Sequence, residues 1–119
     1  MDVESDRELL ELAAKAAGED VEWHESGRYF YRKSCNWPAE KGFFNPLHDD
    51  GDALRLAVTL GLTVECDFHD SDTCTAFQTR GEIVADEQSV MLGEIIGSPE
   101  FAATRRAIVR AAAEIGRAM

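Results

Sequence analysis

Apolar residues recur with helical spacing at Leu9, Leu10, Leu12, Ala13, Ala16 and Ala17, an amphipathic stripe. Ser5 and Glu8 precede it in the Ser-x-x-Glu arrangement of a capping box. Gly18 follows where a left-handed residue closes a helix. From Val21 the period shortens to two. "VEWHES" and "GRYFYRK" alternate about Ser26-Gly27, which predicts a hairpin with Trp23, Tyr29 and Tyr31 among its sheet-facing residues. "SCNWPAEKGFFNP" breaks both periods, and its Pro38, Gly42 and Pro46 read as loop punctuation. A second helix is expected over residues 50–60 with Leu54, Ala57, Val58 and Leu60 toward the core, and Gly61 closes it.

"LTVECDFH" then predicts a strand, "DSDT" a turn and "CTAFQTR" the antiparallel partner. "EIVADE" and "SVMLGEII" read as one or two further strands. Ser98 is placed to cap a third helix that Pro99 starts, with Phe101, Ile108, Val109, Ala112 and Ile115 on its buried side. The order is α-β-β-α-β-β-(β)-α. Short turns between strands imply a mostly antiparallel sheet of about four to five strands, packed by three helices, which is the α+β class.

Composition narrows the picture. The 119 residues suit one domain, 1–119, and 45% apolar content suits a packed core. No apolar run is long enough for a membrane span. The acidic start "MDVESDRELLEL" is unlike a signal peptide. Three cysteines, Cys35, Cys66 and Cys74, fit a reducing compartment better than a disulfide framework. The expected location is therefore the cytoplasm. Twelve basic against twenty-three acidic side chains give a net charge of −11. That sign repels nucleic acid and suits a partner with a basic surface. Residues 1–26 hold nine acids against two bases and residues 42–75 seven against one, whereas Arg105, Arg106, Arg110 and Arg117 gather near the C-terminus, where a helix end favours cations.

The stretch "HDDGDALRLAVTLGL" brings His48, Asp49, Asp50 and Asp52 together. A helix start accounts for the acids: Asp49 or Asp50 caps and Asp52 meets the positive end of the dipole. A calcium loop needs alternating acids and a closing Glu, which this stretch lacks. For Phe43 and Phe44 beside Trp37, one ring of each neighbouring pair is expected to pack under the loop and the other to cover the helix, with a binding surface as the alternative. "CDFHDSDTC" spaces Cys66, His69 and Cys74 as C-x₂-H-x₄-C. This is a weak zinc alternative, with Cys35 or His24 as a fourth ligand, because a strand turns Cys66 and His69 to opposite faces. No nucleophile elbow, phosphate loop or HExxH motif is present. No cofactor and no catalytic residue are assigned.

"RELLELAAKAAG", "FNPLHDDGDALRLAVTLGL" and "FAATRRAIVRAAAEIG" stand in that order, and the chain resembles small bacteriophage and prophage proteins of the phage ABA-sandwich group. The most specific pieces are Asn45-Pro46 leading into Asp52-Ala53 and the run at 103–108. The resemblance implies a three-layer α/β/α sandwich and a phage origin. It implies no activity, since the group has none assigned.

Three functions follow as expectations. The first is an acidic protein that binds and inhibits a basic host protein in the bacterial cytoplasm, such as a CRISPR effector, through Asp49, Asp50, Asp67, Asp70, Asp72 and Glu87. The second is a binder that sequesters a nucleotide or signalling molecule on Arg28, Tyr29, Arg32, Lys33 and Trp37. The third is a zinc enzyme on Cys66, His69 and Cys74. An apolar stripe left open on the third helix would suggest a homodimer.

Overall fold

Ser5 opens the first helix in the computed structural model, which describes residues 5–33, 42–67, 73–78 and 99–119. Helix α1 spans Asp6–Ala17, and its capping box is closed. The Ser5 hydroxyl accepts from the Glu8 amide and the Glu8 carboxylate from the Ser5 amide, each at 3.1 Å. Gly18 ends it at φ 74°. Leu9, Leu10, Ala13 and Ala14 are buried.

Strands β1 (Val21–His24) and β2 (Tyr29–Arg32) form the expected hairpin, in a register pairing Trp23 with Phe30 and His24 with Tyr29. Cross-strand partners share a face. Trp23 therefore lies with Phe30, while Tyr29 and Tyr31 lie on the opposite face, which corrects their expected grouping. A second correction concerns Phe43–Phe44. Read as loop, these residues form β3 and pair with β2 through Phe30↔Phe44 and Tyr31↔Phe43. Two residues are too few to show alternation, and the free edge of β2 supplies the order.

Helix α2 spans Asp50–Leu60 and ends at Gly61, φ 65°. Its buried stripe is Asp52, Ala53, Leu56 and Ala57. Leu54 and Val58, expected inside, are 63% and 72% exposed. The stripe that buries Ala53 and Ala57 leaves the adjacent pair 54/58 about 100° round the helix. Strands β4 (Leu62–Asp67) and β5 (Thr73–Gln78) pair antiparallel. The further strands expected in "EIVADE" and "SVMLGEII", and the Ser98 cap, lie outside the described residues.

Helix α3 spans Pro99–Ala118. Ala103, Ala107, Ile108, Val109 and Ala111 to Ala113 are buried, whereas Phe101 is 60% exposed, contrary to expectation. The long helix is packed by α1, by α2 and by the β4–β5 hairpin. Small residues allow its approach to α1, and a Cβ added at Gly116 would collide with the backbone carbonyl of Leu12. One apolar cluster draws on all three helices and both sheets. The class is α+β, and the described residues hold three helices and five antiparallel strands divided as β1-β2-β3 and β4-β5. Among the described residues no helix is long and apolar enough to cross a membrane.

Candidate functional site

The acidic start of α2 is built from a turn that precedes it. Asn45 accepts through its carbonyl from the amides of His48 (3.1 Å) and Asp49 (2.9 Å). This places Asp49 as the N-cap, its carboxylate accepting from the Asp52 amide at 2.8 Å. The capping expectation thus holds for Asp49. Asp52 does more than meet the helix dipole. It is 7% exposed, and Oδ2 accepts from the Asn45 amide at 2.9 Å while Oδ1 accepts from Arg55 at 2.9 Å. The Arg32 guanidinium stands 3.9 Å away. Arg32 in turn donates to Glu19 at 2.9 Å and to the Phe43 carbonyl at 2.7 Å. One carboxylate therefore ties α2 to the loop before it and draws in the end of β2.

A cleft of ≈ 700 Å³ opens over this lattice, lined by Glu19, Arg32, Phe43, Asn45, Asp49, Asp52 and Arg55. Among the described residues no buried side-chain polar atom lacks a hydrogen-bond partner. The hydrogen bond from Arg55 to Asp52, then the Asp52 charge, push the guanidinium above its ordinary range. Asp50 is engaged as well: Arg105 donates to it at 2.6 Å and to the Leu47 carbonyl at 2.8 Å. The exposed His48 ring lies 3.2 Å from the Asn45 amide oxygen. These groups bind one another.

Of the acids expected at a partner surface, Asp49, Asp50 and Asp67 are exposed. The first two sit at the start of α2 and the third ends β4. Asp70, Asp72 and Glu87 lie outside the described residues. The described members of the small-molecule set are divided between the two faces of the three-stranded sheet. Arg28 is in the hairpin turn at φ 59°, and Tyr29 stacks on His24 at 4.8 Å. Arg32 is on the other face of the sheet, and Lys33 pairs with Asp20 at 3.5 Å. Trp37 lies outside the described residues.

Cys66 and Cys74 are direct cross-strand partners with sulfurs 3.7 Å apart. The Cys66 sulfur is 3.6 Å from the Thr104 hydroxyl. Burial pushes the Cys74 thiol from its ordinary 9.0 up to about 12, so it stays protonated. His69 lies outside the described residues, among which no three His, Cys, Asp or Glu side chains group as for a metal ion.

Two features escaped the sequence. On the outer face of the three-stranded sheet Tyr29 meets Phe43 edge-on at 4.9 Å. There desolvation, then the charge of its cross-strand partner Glu22, raise the Tyr31 hydroxyl. An apolar groove of ≈ 430 Å³ also runs between α2, α3 and β4. The spacing of Leu54 and Val58 with Phe101 could have signalled it, had those residues not read as core. No family model, no curated protein and no solved structure matches the chain.

Proposed function

We propose that the chain is an acidic binding protein that docks on the basic surface of a protein partner and blocks it. One observation carries this reading. Among the described residues Arg32, Lys33, Arg55, Arg105, Arg106 and Arg117 are held in ion pairs by the chain's own Glu19, Asp20, Asp52, Asp50, Asp6 and Glu114. Arg7 lies over the Trp23 ring, 4.6 Å from its centroid. Many of the cations are thus already paired within the chain, and twenty-three acids against twelve bases leave a net charge of −11. Long-range attraction then favours a positively charged surface and speeds encounter with it.

The same pairing disfavours an anionic small molecule, which would compete with Glu19 and Asp52 for Arg32. The resemblance to small phage proteins supports a host protein as the partner, including a defence effector whose nucleic-acid channel is basic. The protein acts by occupancy, with no reaction assigned.

The test is capture of bacterial host proteins on the immobilised chain, followed by affinity measurement on the purified partner. Between about 50 mM and 300 mM salt the association constant is expected to fall at least about tenfold, mostly through the on-rate. A complex whose affinity is unchanged over that range, or a partner with an acidic contact surface, overturns the reading.

A further inference from the structure

We infer that the groove between α2, α3 and β4 is where the partner docks, and that its occupant is a basic amphipathic segment of that partner. The segment would carry one or two bulky apolar side chains flanked by Lys or Arg. This rests on the reading that the chain binds a basic protein, and it adds the place and the form of the ligand.

Geometry supplies the apolar half of the argument. Ala53, Ala57, Val64 and Ile108 line the groove of ≈ 430 Å³, and Leu54 and Phe101 line it as well. Leu54 is 63% and Phe101 60% exposed, and Val58, one turn beyond Leu54, is 72% exposed. Single exposed apolar side chains are ordinary. Leu54 and Phe101 together at one groove with an apolar lining, and Val58 a turn away on the same side of α2, leave a patch of the kind that marks a binding surface. The small Ala53 and Ala57 make the hollow, and the larger side chains stand beside it.

Charge supplies the other half and chooses the occupant. Asp50 and Glu100, in the first turns of α2 and α3, both line the groove; Asp50 is paired with Arg105, and Glu100 is exposed. Asp49 caps α2 beside Asp50. Arg105, the cation lining the groove, is already donated to Asp50 and to the Leu47 carbonyl. An incoming apolar side chain with cationic neighbours finds both a hollow and carboxylates next to it. A second copy of this chain would bring two acidic rims and two charges of −11 together, so the groove is not a self-association face.

The probe is a labelled synthetic helical peptide with Leu at i, i+3, i+4 and i+7 and Lys elsewhere, added to the full chain. Saturable binding at low salt is expected, weakened at least about tenfold in the Leu54→Ser/Phe101→Ser double variant and several-fold in Glu100→Gln. Both altered apolar side chains are exposed, and an unchanged circular dichroism spectrum verifies the fold. In a Cys35→Ser background the peptide is expected to slow alkylation of Cys66, an exposed groove residue. No binding of the Lys peptide, full binding to the double variant, or equal binding of a Leu/Glu peptide overturns the groove assignment. So does a dimer of the chain that the double variant abolishes. None of these results touches the salt dependence of host-protein capture, which stands or falls by itself.

Discussion

Asp52 shows how one residue can hold several elements. Its two oxygens accept from the Asn45 amide and from Arg55, with Arg32 near by. Replacing it by Ala leaves the half-buried Asn45 amide without its acceptor and removes the carboxylate facing two guanidiniums. Arg55 is largely exposed and Arg32 keeps Glu19, so the cost falls below that of a fully enclosed pair, at about 2–3 kcal/mol. Asp49→Ala removes a helix cap alone and is expected to cost about 1 kcal/mol. Urea unfolding of both variants checks the ranking: a lower midpoint at constant slope for Asp52→Ala, and a smaller shift for Asp49→Ala. If the two lose the same stability, Asp52 is only another helix-end acid.

The cysteine pair gives a second expectation at this scale. Cys66 is exposed and Cys74 buried, with its thiol held up to about 12. Iodoacetamide at about pH 8 should therefore modify Cys66 and spare Cys74 in the folded chain, which peptide mass spectrometry reads directly. The raised value also has a thermodynamic consequence. Between 9.0 and about 12 the unfolded state releases the Cys74 proton and the folded state keeps it. The stabilising contribution is therefore full below 9.0 and is lost as pH rises through that window. The urea midpoint should fall with pH there, and Cys74→Ala should flatten the slope.

At the scale of elements, the packing of α1 on α3 depends on absent side chains. Gly116 lies against the Leu12 backbone, where a methyl group would collide with the carbonyl oxygen. Alanine in a helix is ordinarily worth about 1 kcal/mol more than glycine. Here the collision with backbone outweighs that gain, because neither helix can yield without moving the Ala-rich seam. Gly116→Ala is expected to destabilise by about 1–3 kcal/mol, read as a lowered melting temperature. An unchanged or raised value would mean the helices are not in such close contact. Strand β3 makes a related point: Phe44 is buried against the sheet while Phe43, its neighbour, is 38% exposed. A two-residue strand thus divides the aromatic pair between the core and the outer face.

For the molecule as a whole, electrostatics set the terms. The ion pairs described above are mostly at the surface, where each contributes about 0–1 kcal/mol. Against them stands the mutual repulsion carried by a net charge of −11, which added salt screens. The melting temperature is therefore expected to rise by a few degrees between about 10 mM and 200 mM sodium chloride. A fall over that range would mean that the internal ion pairs dominate.

Much of the local order is written in the chain. The box of Ser5 and Glu8, the Asp49 cap and the stops at Gly18 and Gly61 stand where the residues placed them, because each satisfies backbone groups within a few positions. The hairpin at 21–32 and the pairing of β4 with β5 also follow from alternation that needs no distant partner. Periodicity says that a helix has an apolar side, and it does not say how much of that side will be covered. Leu54, Val58 and Phe101 all read as core, and the packing of α2, α3 and β4 left all three exposed, with Leu54 and Phe101 at a groove. Asp52 read as one more helix-start acid until β2 brought Arg32 to it from twenty residues back. What the sequence determined alone are the elements and their ends, since those depend on neighbours along the chain. What only the tertiary structure decided are the buried acid, the paired cations and the open groove, since each depends on which surfaces meet.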